Sequence, residues 1–357
     1  MRYSLFVPRL YNLCLSLGFD AGKIMPSRAF CSDESQGFPT ILLAKHFGAF
    51  PFNHGRVGGV VATGRHGPHA HHGKDLVIVQ ASHVGYDPET KEFGAYRRFQ
   101  TEGELKSTNC GKIMGTLLWY EKELQLAKDN IFLEAEGGQR YIAIDNELMH
   151  SDREQGLVLH TDKMIDKNTD PERSYSTSLR FVASGALRRL IGDESWCVGQ
   201  RIAIADKLVP ELFSFRRSIS HDTKGHSFLE NNLIQAMPWI LTSEHPALAA
   251  AKVNTQMEFD RAYRSILRAP DYQGRNLLFL SGIHIDISPR RNQVFPLTKF
   301  IPWAVYHQTA GGESTLYEQN EINQMLRAQS AKNPAQIDLE ESIRMMEEER
   351  EVTIEAH

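Results

Sequence analysis

Residues 75–86, DLVIVQASHVGY, constrain the fold more than any other stretch: an apolar run closed by Gln80 and Ser82, with His83 and Gly85 immediately behind it. A strand covered on one face alternates apolar and polar residues. A continuous apolar run suits a strand covered on both faces, which is the place of a central parallel strand in an α/β sheet. Asn276–Ile287 (NLLFLSGIHIDI) echoes it as an apolar strand reaching His284, and the echo suggests duplication. The expected fold class is therefore α/β, an open sheet with flanking helices, together with a second α/β body that reads as an altered copy.

The rest of the chain arranges itself around that strand. An amphipathic helix is expected from near Pro8, with Leu10, Leu13 and Leu17 on one face and Gly18 as its stop. Ser27–Cys31 closes a short strand and Pro39–Phe47 forms a helix, so Cys31 sits at a strand-to-helix junction. Asn109-Cys110-Gly111 opens an apolar helix through Leu117, Leu118 and Leu124, which puts Cys110 near a helix N-terminus. Residues 132–148 suggest two strands about Gly137-Gly138, and the polar stretch 150–178 reads as a linker. The expected domains are residues 1–150 with the candidate site, a linker or surface insertion at 151–178, a second α/β domain at 179–328 without a metal site, and a charged helical tail at 329–357. The acidic tail suits a solvated helix or an arm on a partner subunit.

Charge removes several classes of function. Forty basic residues against forty-four acidic ones give a net charge of −4, which offers no electrostatic grip on nucleic acid or an anionic membrane. No segment approaches the ~18 apolar residues that a spanning helix needs. Arg9 interrupts the apolar N-terminus and no small-residue cleavage site follows, against a secretory signal. The absence of acidic residues before Asp20 leaves an organelle transit role open, so the expected location is the cytoplasm or an organelle stroma.

Four dispersed cysteines, Cys14, Cys31, Cys110 and Cys197, are too few to staple a chain of 357 residues. Cys31, His83 and Cys110 together make a chemical set instead, because zinc favours thiolates and imidazoles and a catalytic zinc takes three protein ligands. Separations of 52 and 27 residues suit no zinc finger but suit the ends of neighbouring strands in an open sheet. Against this stands the ordinary reading of a buried cysteine as a small hydrophobe, which is also the reading for Cys14 and Cys197. His69, His71 and His72 fit a solvated Gly/His loop, a proton relay or a second metal site, in that order. His221 and His226 have no identifiable partner. Gly67-PHAHH-Gly73-Lys74 fails the phosphate-loop pattern in spacing and in lacking the hydroxyl after the lysine.

The local sequence adds a resemblance. Gly18-Phe19, Cys31-Ser32-Asp33-Glu34, Ala49-Phe50, Gly58-Gly59-Val60, Gly64, Gly67, His71-His72, His83-Val84-Gly85, Gly94, Arg97-Arg98 and Ser107 to Cys110-Gly111 occur in an order that resembles the limiting-CO2-inducible protein B/C family of carbonic anhydrases. That family is called theta-class and is related in fold and site to beta carbonic anhydrases. The resemblance covers roughly residues 18–115. It implies a beta-carbonic-anhydrase-like sheet, Zn2+ on Cys31, His83 and Cys110, and reversible hydration of CO2 to bicarbonate by a zinc-bound hydroxide.

The resemblance also gives Asp33 a role, either orienting the hydroxide or, as a fourth ligand, closing the site. In the beta class an arginine close behind holds that aspartate away, but Ser35 stands there in this chain. Arg97 is the first candidate for the missing arginine and Arg65 the second. Two other functions stay open: a catalytically silent subunit binding inorganic carbon or a partner, and a cysteine hydrolase using Cys31 or Cys110 with His83, oriented by Asn109 or Asp33. The expected assembly is a homodimer or higher homo-oligomer with one zinc per chain.

Overall fold

The computed structural model describes residues 1–61, 75–98, 107–149, 154–175, 177–219, 226–290, 293 and 295–348. The His69, His71 and His72 loop, Arg65 and His221 lie outside these residues. Chain contacts define two compact units, residues 1–110 with 254–357, and residues 111–253. This differs from the expected division at 150–178, and strand pairing is the reason.

Strands β1 (Ile24–Ala29), β2 (Phe52–Asn53), β3 (Asp75–Asp87), β4 (Leu277–Ile287), β5 (Lys299–Gln308) and β6 (Ser314–Glu318) form one sheet in the order β6-β5-β4-β3-β1-β2, with Glu92–Phe93 added against β3. β2, β1, β3 and β4 run parallel; β5 pairs antiparallel with β4, and β6 antiparallel with β5. The echo strand is therefore the sheet neighbour of the strand it echoes, in register from Leu277 opposite Leu76 to Ile287 opposite Tyr86. It does not belong to a second body spanning 179–328.

Apolar runs without alternation are what a doubly covered sheet requires. Val77, Val79, Ala81, Leu278 and Leu280 pack on one face with Phe6, Leu10, Leu43 and Ile322, from the helices Tyr3–Ser16, Gly37–Phe47 and Gln319–Ala328. Leu76, Ile78, Leu277 and Phe279 pack on the other with Phe259, Ala262 and Ile266 of the Pro246–Arg268 helix. Each such side chain, fully buried, contributes about 1.5–3 kcal/mol.

The unit at 111–253 holds a five-stranded antiparallel sheet in the order Glu172–Tyr175, Ser178–Val182, Gln139–Asp145, Ile131–Glu136, Arg201–Ala203. The hairpin expected about Gly137-Gly138 is present, with Gln139 opposite Glu136. Segment 150–178 is not a plain linker, since Gly156–Leu159 pairs with Phe213–Arg216 and Glu172–Tyr175 joins the sheet. Beyond the sheets, Leu339–Glu348 is a charged helix with no buried residue. Among the described residues no helix is long and apolar enough to cross a membrane.

Candidate metal centre

Three chain segments converge at the carboxyl ends of β1 and β3. β1 ends at Ala29, so Cys31 follows it by two residues. Asp33 then caps a 3-10 turn, Glu34–Gln36, that runs into the Gly37–Phe47 helix. Gly58, at φ 77°, aims its amide at Cys31 Sγ from 3.2 Å. Gly59 passes so close to β3 that a Cβ there would collide with the Ala81 carbonyl group. Gly85 does the same for Cys110. Its N–H donates to Asn109 O at 2.5 Å, and a Cβ would lie 2.7 Å from Ala95 O, so a bare backbone lets the 109–110 segment lie against β3.

Cys31, His83 and Cys110 are all buried, and their ligand atoms lie within 4.8 Å of one another. The two sulfurs are 3.9 Å apart. His83 Nδ1 donates to Asp286 Oδ2 at 2.9 Å, while Nε2 is buried without a hydrogen-bond partner. A buried, unpartnered ring nitrogen costs free energy unless something occupies its lone pair. Two thiols and an imidazole with Nε2 free form a donor set for a soft divalent metal, and the carboxylate behind Nδ1 is the usual partner of a metal-bound histidine. The residues therefore fit a metal such as zinc.

Asp286 is the hub behind this cluster. Its Oδ2 accepts from Ser35 Oγ at 2.9 Å, Gln36 Nε2 at 2.7 Å and Asn109 Nδ2 at 3.1 Å as well as from His83, and Oδ1 accepts from Thr298 Oγ1 at 3.0 Å. A buried carboxylate without partners costs several kcal/mol, and at 0% exposure this donor set is what offsets the cost of burying Asp286. Burial opposes a charge on His83, but the Cys110 charge and the Asp286 hydrogen bond outweigh it and raise His83 well above its ordinary value. A hydrogen bond from Cys110 lowers the Cys31 thiol, with burial opposing and His83 and Gly58 assisting; the same pairing, with burial, raises Cys110. The pocket as a whole attracts positive charge, whether a proton or a metal.

Asp33 lies outside the three-ligand group. Arg98 Nη2 is 3.3 Å from Asp33 Oδ1, and Arg98 Nε bonds Glu34. Burial, followed by the Glu34 hydrogen bond, raises Asp33 to about 7. Among the described residues the arginine that meets Asp33 is therefore Arg98. Arg97 is instead ion-paired with Asp87 at 3.0 Å and Glu89 at 2.7 Å. The two arginines directly follow the Ala95–Tyr96 strand, where consecutive side chains point to opposite sides.

The sequence motifs leave Asp286, Gln36 and Thr298 out of the site and contain Arg98 only as half of Arg97-Arg98. A signal for Asp286 existed: in NLLFLSGIHIDI it lies two residues beyond His284, on the same face of a strand resembling the one that carries His83. Asn109, considered above as an orienting residue, bonds Asp286 rather than His83. Cys14 is buried as expected, but Cys197 is exposed and is not a packing residue.

No family model and no curated protein matches the sequence. Among solved structures the chain is similar to PtLCIB4, a homolog of the limiting CO2-inducible protein LCIB, with TM-score 0.52 and 11% identity, covering 89% of this chain and 94% of that one. It is also similar to a histidine-to-alanine mutant of PtLCIB4, with TM-score 0.51 and 10% identity, covering 88% and 92%. The chain has the fold of these structures.

Proposed function

We propose that the chain is a zinc-dependent carbonic anhydrase that interconverts CO2 and bicarbonate, with Cys31, His83 and Cys110 holding the metal. The observation that carries this reading is the orphaned His83 Nε2 facing two thiols, its other nitrogen fixed by a buried carboxylate. The fold shared with PtLCIB4 supports it. When bound, zinc supplies the Lewis acidity that makes water a nucleophile near neutral pH.

The chain's own residues do the remaining work. Asp286 keeps the proton on His83 Nδ1 and so presents Nε2 as a donor. The Gly58 amide stabilises negative charge on Cys31. Arg98 restrains Asp33 beside the cluster, where its carboxylate accepts a hydrogen bond from the nucleophile and orients it. Glu34, more exposed than Asp33, completes a polar path from Asp33 through Arg98 to solvent. On this reading the chain holds one zinc, works as a homodimer and occupies a reducing compartment that keeps its thiols free.

A second reading draws on one contact. Cys31, His83 and Asp286 have the residue types of a cysteine hydrolase triad, with Asp286 bonded to His83 as orienter and the thiol within 4.8 Å of the ring nitrogen but not hydrogen-bonded to it. Zinc quantification with stopped-flow CO2 hydration on the purified protein separates the readings. Stoichiometric zinc with hydration activity supports the anhydrase; zinc without activity identifies a silent subunit; activity toward esters or amides in zinc-free protein, abolished by alkylation, identifies the hydrolase.

A further inference from the structure

Beside Thr298, the donor to Asp286 Oδ1, a cavity of about 540 Å3 opens to the surface. Its size falls in the range of small-molecule sites, roughly 300–1,000 Å3. Three cations line it, Arg2, Arg290 and Lys299, with no carboxylate among the lining residues. Among the described residues none of the three has an ion-pair partner. An antiparallel bridge sets Arg2 directly opposite Lys299, and like charges so placed repel. In a chain of net charge −4 this is a local excess that no carboxylate among the described residues pairs with.

The helix Tyr3–Ser16 begins at the same cavity. Tyr3 N donates to Thr298 O, and Leu5 N and Phe6 N donate to Arg2 O, which leaves the Ser4 amide as the first-turn donor without a backbone acceptor among the described residues. Ser4 lines the cavity. A helix start with a free amide beside three cations favours a multiply charged anion, since a monocarboxylate would leave most of the positive charge unmatched. Phe38, Ile287 and Leu297 supply an apolar wall. An inorganic ion would leave that wall in water, whereas an organic body would cover it.

We propose that this cavity binds a small organic phosphate, the dianionic group taken by Arg2, Arg290, Lys299 and the Ser4 amide and the organic body lying on Phe38, Ile287 and Leu297. The assignment does not depend on the metal-centre reading. Thr298 links it to that centre, since it lines the cavity and donates to Asp286.

The test is isothermal titration of the full chain at low ionic strength with phenyl phosphate and, separately, inorganic phosphate. One saturable phenyl phosphate site per chain is expected, with inorganic phosphate weaker by about tenfold or more. The double variant Arg290→Gln/Lys299→Gln should weaken phenyl phosphate by about tenfold or more with its thermal midpoint retained, because both side chains are exposed. Arg2→Gln provides a second, independent variant with the same expected direction. Lys207→Gln, an exposed cation elsewhere, should leave binding unchanged. Absence of saturable phenyl phosphate binding, or equal affinity in the parent and in both cavity variants, would overturn the site. Equal affinity for the two probes would overturn the role of the apolar wall.

Discussion

His83 and His284 stand directly opposite each other on β3 and β4, and their surroundings drive them in opposite directions. His83 gives its Nδ1 proton to Asp286 and is raised; His284 gives its own to Gln36 Oε1 at 2.6 Å, and burial, outweighing the Asp286 charge, lowers it to about 3. Gln36 joins the two, since its Nε2 donates to Asp286. One histidine is prepared to hold a positive partner and the other to remain neutral.

The ligand assignment predicts metal content. Cys31→Ser, His83→Ala and Cys110→Ser should each lose most bound zinc, a larger effect than the ~10–100-fold typical of losing an outer partner. Cys14→Ser and Cys197→Ser should keep it. Metal analysis after gel filtration decides, and equal retention by the Cys31 and Cys14 variants would remove the basis of the site.

Asp286→Asn preserves volume but replaces the charged acceptor behind His83. Zinc affinity or CO2 hydration should fall by about 10–100-fold. A competition titration against a chelator measures the first and stopped-flow the second; parent values in both would reduce Asp286 to a packing role.

The arginine assignment separates two adjacent residues. Arg98→Ala should keep zinc and slow CO2 hydration, as should Asp33→Ala, because each removes one side of the same pair. Arg97→Ala should leave the rate close to that of the parent. The reverse ranking of the two arginine variants would show that Arg98 does not govern Asp33.

Gly85→Ala places a methyl group 2.7 Å from Ala95 O and 3.1 Å from Asn109. Overpacking of this kind costs about 1–3 kcal/mol, and here it pushes on the segment that ends in Cys110. Thermal unfolding should show a lower midpoint together with weaker zinc retention. A variant as stable as the parent would mean that the segments at Ala95 and Asn109 yield freely.

His46 supplies a pH prediction away from the metal. Burial, then Lys45, lowers it to about 4, and Asn333 Nδ2 lies 3.4 Å from its Nδ1. The unfolded chain takes up this proton near 6.5 and the folded chain only near 4. The associated stability is therefore present above about pH 6.5 and lost as pH falls through that window, with a slope of at most about 1.4 kcal/mol per pH unit. His46→Gln should flatten the dependence measured by urea unfolding between about pH 7 and 5. An unchanged slope would mean that His46 titrates alike in both states.

The three residues that the fold brings together, Cys31, His83 and Cys110, were legible as a set because each follows a strong local signal: a strand end, an apolar run, a helix start. Asp286 and Thr298 were not, because their place depends on β4 joining β3, a long-range pairing that periodicity does not encode. The compact units divide elsewhere for the same reason, since a polar stretch at 150–178 resembles a linker until Gly156–Leu159 and Glu172–Tyr175 find partners. Arg97 and Arg98 differ only in which side of the chain they leave, and adjacent residues of one type offer no composition signal to tell them apart.

The pairing of β3 with β4 has a consequence for the order of events during synthesis. All three candidate metal ligands have left the ribosome soon after residue 110, yet β3 lacks one neighbour and His83 lacks its carboxylate until residue 286 has followed. At about 5–20 residues per second this is a delay on the order of ten seconds or more, during which two thiols and an apolar strand edge are uncovered. Nascent chains released before β4 should therefore be the species that chaperones engage and oxidants attack, and zinc should be captured securely only once the last strands are in place.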